Sequence, residues 1–275
     1  MAEITASDVA KLRKMTGAGM MDCKVALTES NGDFDAAIDI LRKKGQKVAG
    51  KRADREATEG AVIAKKSDDG KRAVIISLNC ETDFVAKNED FVKFAYQILD
   101  LAVSKNPANL EELLGYKLNG ISIADEIINQ TGVIGEKIEL GYFDKVEGEY
   151  VSTYIHTGNK LATIASFNKV IDEHTGKDVV MQIAAMSPVS IDKDDVPQSV
   201  IDKEIEIGKE LAIQEGKPAD MAEKIAVGRL NKFFAENTLL NQQWVKDNKK
   251  TIRDFLKSVD AEVKVLAFKR YSLSN

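Results

Sequence analysis

Apolar and polar residues alternate along this chain with two periods, and the changes of period divide it into helices and strands. Towards the amino terminus the apolar side chains recur every three or four positions, which is the spacing of one face of an α-helix. Three helices are predicted there: one capped by Ser7, one over 23–29 capped by Asp22, and one over 34–44 capped by Asp33 and ended by Gly45. We expect residues 1–54 to form a three-helix module that binds a partner.

A run of cations follows the third predicted helix. Positions 42–55 carry seven Lys or Arg residues against Asp54 as the single acid. Such a run could contact phosphates. It could instead be a solvated linker that also places cations at the end of a helix, where they are favoured. No aromatic residue lies between the charges, so we favour the linker.

Short apolar runs rich in β-branched residues follow, and they predict strands. The first copy of this pattern has strands at 60–64 and 73–79 joined by a hairpin turn at 68–70, then a helix that bears Phe91, Phe94 and Ile98. Residues 138–190 repeat the arrangement, with a second hairpin and a helix over 178–186. Internal duplication indicates two similar subdomains packed together. We place them at 55–140 and 141–275.

Two long helical patterns interrupt the second copy. They cover 196–214 and 219–240, with a tight break at Gly216-Lys217-Pro218 between them. An antiparallel pair of helices buries one seam only, so the apolar residues left over predict a docking face. We expect this helical hairpin to be an insertion at about 194–245, after which the chain adds one helix and one strand. The predicted fold class is α+β, with antiparallel sheets.

Composition narrows the classes of function. Of the 275 residues, 44% are hydrophobic and 30% are charged, and the net charge of −5 argues against general nucleic-acid binding. Two cysteines and two histidines, scattered singly, give no zinc-ligand spacing. Neither a glycine-rich phosphate loop nor a serine nucleophile motif occurs. We therefore expect no metal and no cofactor, and a protein that acts through its surfaces.

The compartment follows from three features. The amino terminus lacks the basic and apolar segments of a signal peptide, and no apolar run reaches the length of a membrane span. Cys23 and Cys80 lie far apart, which fits free thiols in a reducing environment better than a disulfide framework. A cytoplasmic location without membrane contact is expected.

The stretch from Asn79 to Asn88 joins a buried strand to an amphipathic helix. Such junctions are exposed on rigid flanks and often carry function. Inside it, Asp83 and Phe84 stand side by side. They could dock as a unit, with the ring in a partner's pocket and the carboxylate competing for a donor or a cation. Alternatively, Thr82 or Asp83 caps a short helical turn and Phe84 is the core residue of that turn. Spacing alone favours the second interpretation.

Three motifs resemble those of bacterial translation elongation factor Ts. They are TGAGMMDCKVAL at 16–27, NGD at 31–33 and CETDFVAK at 80–87. The likeness covers nearly the whole chain and includes the stretch from Glu223 to Phe233 in the second helix of the hairpin.

This resemblance implies a guanine-nucleotide exchange factor for elongation factor Tu, with an amino-terminal module of the ubiquitin-associated type. It implies that Thr82, Asp83, Phe84 and Val85 dislodge the partner's magnesium ion, with Phe84 inserted between helices of the partner and Asp83 in a polar contact. The other partner contacts that it implies are Lys24, Ile134, Gly135, His156 and Val245. Lys246 departs from the apolar neighbour familiar at that last position. The hairpin resembles a coiled-coil insertion that some members use for self-association, so a homodimer is also expected.

Two other classes of function compete with this one. An enzyme could pair the Cys80 thiol with the His156 imidazole, provided that the two are neighbours in space and that a third group orients them. A nucleic-acid-binding adaptor could use the cations of 42–55, although the net negative charge of the rest of the chain argues against it. Exchange needs no catalytic group, because it requires only tighter binding to the nucleotide-free partner than to the nucleotide-bound one. We therefore expect a protein that is not an enzyme.

Overall fold

The computed structural model describes residues 4–273, apart from the side chain of Asp220. Its helices are α1 (Ala6–Thr16), α2 (Met20–Glu29), α3 (Phe34–Arg52), α4 (Asp83–Ala86), α5 (Glu89–Lys105), α6 (Leu110–Gly115), α7 (Ile123–Ile134), α8 (Glu173–Met186), α9 (Gln198–Gln214), α10 (Ala219–Asn237) and α11 (Ile252–Val259). Its strands are β1 (Glu59–Lys66), β2 (Arg72–Cys80), β3 (Lys117–Leu118), β4 (Ile121–Ser122), β5 (Glu139–Glu147), β6 (Tyr150–Ile155), β7 (Leu161–Phe167), β8 (Gln243–Trp244), β9 (Asp247–Thr251) and β10 (Val265–Ser272).

The first three helices surround a small core of their own, as the helical spacing predicted, but two of the predicted caps are wrong. Thr5, not Ser7, caps α1: its side chain accepts the Asp8 N–H, and the Asp8 carboxylate accepts the Thr5 N–H in return. α2 begins after Gly19 without a side-chain cap, so Asp22 lies inside its first turn. An acid is favoured there by the helix dipole, which explains why the residue resembled a cap.

Gly45 does not end α3, contrary to the sequence-based prediction. The helix continues to Arg52, and Gly45 is buried where α3 crosses α7. It faces Gly132, and a side chain on Gly132 would press on the backbone of α3 at Gly45. A glycine inside a helix costs about 1 kcal/mol relative to alanine, and close packing of two helices offsets that cost. The basic run at 42–55 is therefore largely helical rather than an open linker.

Two three-stranded antiparallel sheets pack face to face in the core, with the strand orders β1-β2-β5 and β10-β7-β6. Along β2, Val74 and Ile76 face α5, whereas Ala73 and Ile75 face the second sheet. Strands buried on both faces read as continuous apolar runs rather than alternating ones. Each predicted hairpin is present and is followed by a helix on the outer face of its sheet, α5 for the first and α8 for the second. The α+β fold class with antiparallel sheets is confirmed.

Two boundaries differ from the expected ones. β5 pairs with β2 from Arg72 opposite Glu147 to Asn79 opposite Glu139, so the expected division between 140 and 141 falls inside a strand of the first sheet. α8 begins at Glu173 rather than at 178, because Asp172 caps it by accepting from the Thr175 N–H. The division into 1–54, 55–140 and 141–275 stays a prediction.

The predicted helical hairpin consists of α9 and α10. Gly208 lies close to Ala226 along its seam, and two ion pairs bridge the helices, Lys209 to Glu223 at 3.0 Å and Arg229 to Glu215 at 2.7 Å. Although both helices are long, no helix in the described part of the chain is long and apolar enough to cross a membrane.

The insertion is shorter than the expected 194–245. α10 ends at Asn237, and a backbone bridge between Ser190 and Thr238 closes the base of the hairpin. Beyond the bridge, Leu239 is buried in the core of the second sheet. Trp244 stacks on Phe255 with ring centroids 4.1 Å apart. Leu239, Leu240 and Trp244 therefore pack with the core of the second sheet and not with the hairpin.

Candidate partner-binding site

The turn between β2 and α5 presents the ring of Phe84 to solvent. Thr82 caps the single-turn helix α4 by accepting the Val85 N–H. Phe84 is 84% exposed, whereas Ala86 is buried against the first core. One helical turn has a single inner side, which Ala86 occupies with the partly buried Val85. The predicted cap is confirmed, and the prediction that Phe84 is a core residue is wrong.

Asp83 lies on the same turn as an ionised, accessible carboxylate. Its Oδ2 is 2.6 Å from the Nζ of Lys87, one helical turn away, and both side chains are exposed. The hydrogen bond from Lys87 lowers the pKa of Asp83, and the nearby charge of Lys160 lowers it further. Exposed pairs of this kind are worth about 1 kcal/mol or less. Asp83 can therefore exchange Lys87 for a donor on a partner at little cost.

Two carboxylates hold the beginning of this turn. Glu136 accepts the Thr82 N–H at 3.0 Å and the Thr82 hydroxyl at 2.7 Å. Glu81 accepts the Lys137 N–H at 2.6 Å and the Arg52 guanidinium at 2.8 Å. The dipeptides Glu81-Thr82 and Glu136-Lys137 thus bind each other reciprocally, and we call this arrangement, together with Arg52, the carboxylate clamp. The backbone hydrogen bond from Lys137 is the main reason that the pKa of Glu81 is lowered, with Arg52 adding to it.

Ile134 and Gly135 lead directly into the clamp. Helix α7 extends to Ile134. Gly135 ends the helix in the left-handed conformation, with φ of 80°, and its N–H donates to the Thr131 carbonyl at 2.9 Å. Ile134 packs partly against the first core. The clamp brings this segment beside the Thr82–Val85 turn.

His156 is exposed at the end of β6, and its Nδ1 shares a hydrogen bond of 2.8 Å with the Tyr154 hydroxyl. The turn that follows returns to the first sheet, where the Val62 N–H donates to the Asn159 carbonyl at 2.7 Å and Lys160 pairs with Glu59 at 2.9 Å. Because Glu59 lies opposite Cys80 in the first sheet, this ion pair brings the His156 turn to the end of β2, where the Thr82–Val85 turn begins.

Lys24 and Val245 are exposed on other elements, α2 and the turn after β8. No hydrogen bond or ion pair within 4–273 joins either of them to the Thr82–Val85 turn. The Val245 N–H donates at 3.0 Å to the buried side chain of Gln182. Its neighbour Lys246 pairs with Asp178 at 2.5 Å, so this lysine has a structural use inside the chain.

Cys80 is buried beneath the turn, and its thiol donates to the Thr82 carbonyl at 3.2 Å. Burial raises its pKa to about 12, with the carboxylates of Glu136 and Glu59 adding to the effect. A nucleophilic cysteine acts as the thiolate, which this environment disfavours. No hydrogen bond within the described residues connects Cys80 to His156. The thiol–imidazole pair that an enzyme would need is therefore not formed.

The sequence-based site residues fall into one group and two outliers. The group contains Thr82–Val85, Ile134, Gly135 and His156; the outliers are Lys24 and Val245. Sequence reasoning missed Glu136, Glu81 and Arg52, because Thr82 and Glu136 are 54 positions apart. The available signal was an acid directly beside each group of predicted site residues, Glu81 before Thr82 and Glu136 after Gly135.

Comparison with known proteins agrees with the motifs. The family model for elongation factor TS matches residues 81–275, which begin at the clamp. A protein named elongation factor Ts from Christiangramia forsetii is 54% identical over 275 residues, covering 99% of this chain and 100% of the relative. The chain belongs to the elongation factor Ts family. The resemblance deduced from the three motifs is confirmed.

Other elongation factor Ts relatives support the same assignment along the whole chain. The protein from Flavobacterium psychrophilum is 54% identical over 275 residues, with 99% of this chain and 100% of the relative covered. The protein from Porphyromonas gingivalis is 50% identical over 272 residues, with 98% of each covered. Membership in this family confirms the expected class of translation elongation factors, which act in protein biosynthesis.

Proposed function

We propose that this protein is the guanine-nucleotide exchange factor of translation elongation that binds elongation factor Tu, displaces its magnesium ion and promotes GDP release and GTP loading. The observation that supports this most is Phe84, an exposed aromatic ring on a turn that the carboxylate clamp holds in place. Aromatic anchors that fill a partner's pocket dominate many interfaces. Family membership supports the identity of the partner.

The mechanism needs contacts that differ between two states of the partner. A factor that bound the GDP-bound and nucleotide-free forms equally would shift nothing, however tightly it bound. The partner's magnesium ion is a large local charge next to the nucleotide phosphates. Insertion of Phe84 would move the elements that hold this ion. The Asp83 carboxylate would give up its hydrogen bond from Lys87 and accept one from a donor on the partner. Coupling is reciprocal, so excess nucleotide should release the factor.

The remaining predicted residues divide the work. Ile134, Gly135 and His156 would extend the contact surface of the Thr82–Val85 turn. Lys24 and Val245 would serve as separate anchors on the amino-terminal helices and on the second sheet region. None of these contacts involves covalent chemistry, so the protein would act on its partner without being an enzyme, in the cytoplasm where translation takes place.

The helical hairpin would serve self-association. Its exposed apolar side chains are Ile207, Leu211, Ile213, Met221 and Val227. Two copies that packed against each other through the hairpin would cover some of these side chains. Light scattering across a concentration series should show a rise in molar mass that Ile213→Lys reduces. A molar mass equal to that of a single chain at every concentration, for both proteins, would contradict the homodimer.

The decisive experiment measures release of a fluorescent GDP analogue from purified elongation factor Tu in the presence of magnesium. Addition of this protein should raise the release rate in a saturable manner, and a rate that does not change would overturn the proposal. The nucleic-acid adaptor has less in its favour, because three cations of the run at 42–55 pair inside the chain: Arg42 with Asp39, Lys44 with Asp22, and Arg52 with Glu81.

A further inference from the structure

The carboxylate clamp joins three parts of the chain at the point where Phe84 is presented. We propose that Glu136 and Glu81 are positioning residues for nucleotide exchange, and that Arg52 links the orientation of the turn to the amino-terminal helices. This inference rests on the proposed exchange function. It assigns a role in exchange to three residues outside the Thr82–Val85 turn.

Thr82 is the residue of the turn that the clamp holds directly. Its two donors, the N–H and the hydroxyl, both end on one carboxylate, that of Glu136. Hydrogen bonds to an ionised acceptor are roughly twice as strong as neutral ones. They fix both the backbone and the side chain of the residue that caps α4. Since Phe84 follows two positions later, the direction of its ring depends on this cap.

The second step is the connection to the amino-terminal helices. Arg52 is the last residue of α3, and its guanidinium reaches both oxygens of Glu81, at 2.8 and 2.9 Å. α3 also packs on α7 at Gly45 and Gly132, and α7 leads through Gly135 to Glu136. Two structural paths from these helices therefore converge on the turn. A partner held at Lys24 would meet a turn whose orientation is set from the same helices.

A purely structural role makes a different prediction. If the clamp only stabilised the fold, its loss would lower the fraction of folded protein and leave exchange per folded molecule unchanged. If it positions Phe84, its loss should lower the release rate at saturating factor. The half-saturating concentration should change less, because the other contact residues stay in place. Preorganisation of this kind removes an ordering cost that the complex would otherwise meet.

The experiment compares Glu136→Ala and Glu136→Gln with the control Glu149→Gln, which alters a surface ion pair to Lys71. Glu136→Ala should lower the maximal rate of GDP-analogue release from elongation factor Tu about tenfold, as expected for lost hydrogen bonds to a charged acceptor. Glu136→Gln keeps one amide oxygen as acceptor and should recover part of the rate. Glu149→Gln should match the unaltered protein. Urea unfolding of each variant gives the folded fraction for the correction.

The link through Arg52 requires a double-mutant cycle. Arg52→Ala and Glu81→Ala should each lower the maximal rate, and the double variant should be no worse than Glu81→Ala, because loss of the Glu81 carboxylate already removes the contact with Arg52. Additive losses would overturn the link. Should Glu136→Ala fail to fold, Glu136→Gln replaces it in the comparison with Glu149→Gln, and a maximal rate per folded molecule equal to that of this control would overturn the inference.

The outcomes separate this inference from the proposed function. An unaltered protein that does not stimulate release removes the proposed function itself. An unaltered protein that stimulates release, beside a Glu136→Ala variant with the same maximal rate per folded molecule, removes the clamp inference alone.

Discussion

Gly45 of α3 and Gly132 of α7 meet backbone to backbone, with no side chain between them. A Cβ on Gly132 would overlap the Cα of Gly45, whereas a Cβ on Gly45 would lie 3.4 Å from the nearest atom, the Ile128 carbonyl oxygen. The crossing of these two helices is therefore closest at Gly132. It sets how the amino-terminal helices sit on the first sheet region.

Gly132→Ala should lower the free energy of unfolding by about 1–3 kcal/mol, because the added methyl group forces the two helices apart. Gly50→Ala is the matched control on α3, since no atom lies within 4 Å of its Cβ position. The control should gain up to about 1 kcal/mol from helix propensity. Urea unfolding of both variants measures the difference, and a Gly132→Ala protein as stable as the control would contradict the close crossing.

Phe84→Ala should leave stability nearly unchanged and weaken the functional complex with elongation factor Tu. An aromatic anchor typically contributes at least ~2 kcal/mol to binding, which is roughly a 30-fold change in affinity. The contrast is Phe91→Ala, whose ring is 3% exposed in the first core and whose loss should cost about 3–5 kcal/mol of stability. Thermal unfolding and GDP-analogue release, measured on both variants, distinguish an anchor from a core residue. Strong destabilisation by Phe84→Ala would show that the ring packs against the rest of the protein and is not available to a partner.

Two deletions test where the helical hairpin ends. Replacement of 198–237 by a short Gly/Ser linker should leave a cooperative core, because this segment contributes α9 and α10 and stops before Thr238. Replacement of 194–245 also removes Leu239 and Trp244 from the core of the second sheet and should cause loss of cooperative unfolding. Calorimetry of the two products decides, and equal cooperativity in both would argue against a core role for 238–245.

The acid sensitivity of the clamp follows from Glu81. Its pKa lies below the ordinary value of 4.5 in the folded protein, because the carboxylate accepts hydrogen bonds from Lys137 and Arg52. A carboxyl group with a depressed folded pKa stabilises the fold fully above the unfolded pKa, and this contribution is lost as the pH falls through the folded value. The stability difference between the unaltered protein and Glu81→Gln should therefore shrink between about pH 6 and pH 3. A difference that is constant over this range would contradict an ionised, hydrogen-bonded Glu81.

Lys246 should matter for stability although it lies on the surface. Its partner Asp178 is only 2% exposed, and Lys246 contacts the Oδ1 atom of this carboxylate. The Oδ2 atom lies 3.6 Å from the imidazole of His174, which is charged only when it is protonated. Lys246→Ala leaves this buried carboxylate without its main partner and should cost more than about 1 kcal/mol. Lys249→Ala, an exposed control on β9, should stay within about 0.5 kcal/mol. Addition of Asp178→Asn to Lys246→Ala should restore part of the loss.

Local patterns predicted the elements well where local forces decide them. The apolar spacing of α5 and the β-branched runs of β1 and β2 each depend on residues a few positions apart. Asp33 was correctly predicted to cap α3, because its side chain accepts the Ala36 N–H within the same turn. The error at Gly45 has a different cause. A glycine that ends a helix and a glycine that admits a neighbouring helix look alike in sequence, and only the position of Gly132 separates them.

The site was predictable only in part for the same reason. The motif at 80–87 marked Asp83 and Phe84, but the exposure of Phe84 depends on which side of α4 faces the core. Spacing within a single helical turn does not reveal that side. The clamp depends on contacts across 54 positions, and no local rule relates Thr82 to Glu136. Trp244 is a similar case, since its place against Phe255 is set by the path of the chain after the hairpin.

The burial of both thiols has a practical consequence for spectroscopy. Cys23 and Cys80 are each fully inaccessible to solvent, and the pKa of Cys80 is raised to about 12, so maleimide reagents should leave the native protein unlabelled. A cysteine introduced at an exposed position such as Val170, which is 76% exposed, would then be the one reactive thiol among the described residues. A single fluorophore could be attached there without first replacing the native cysteines, and its emission would report complex formation in real time on a protein whose contact turn is unaltered.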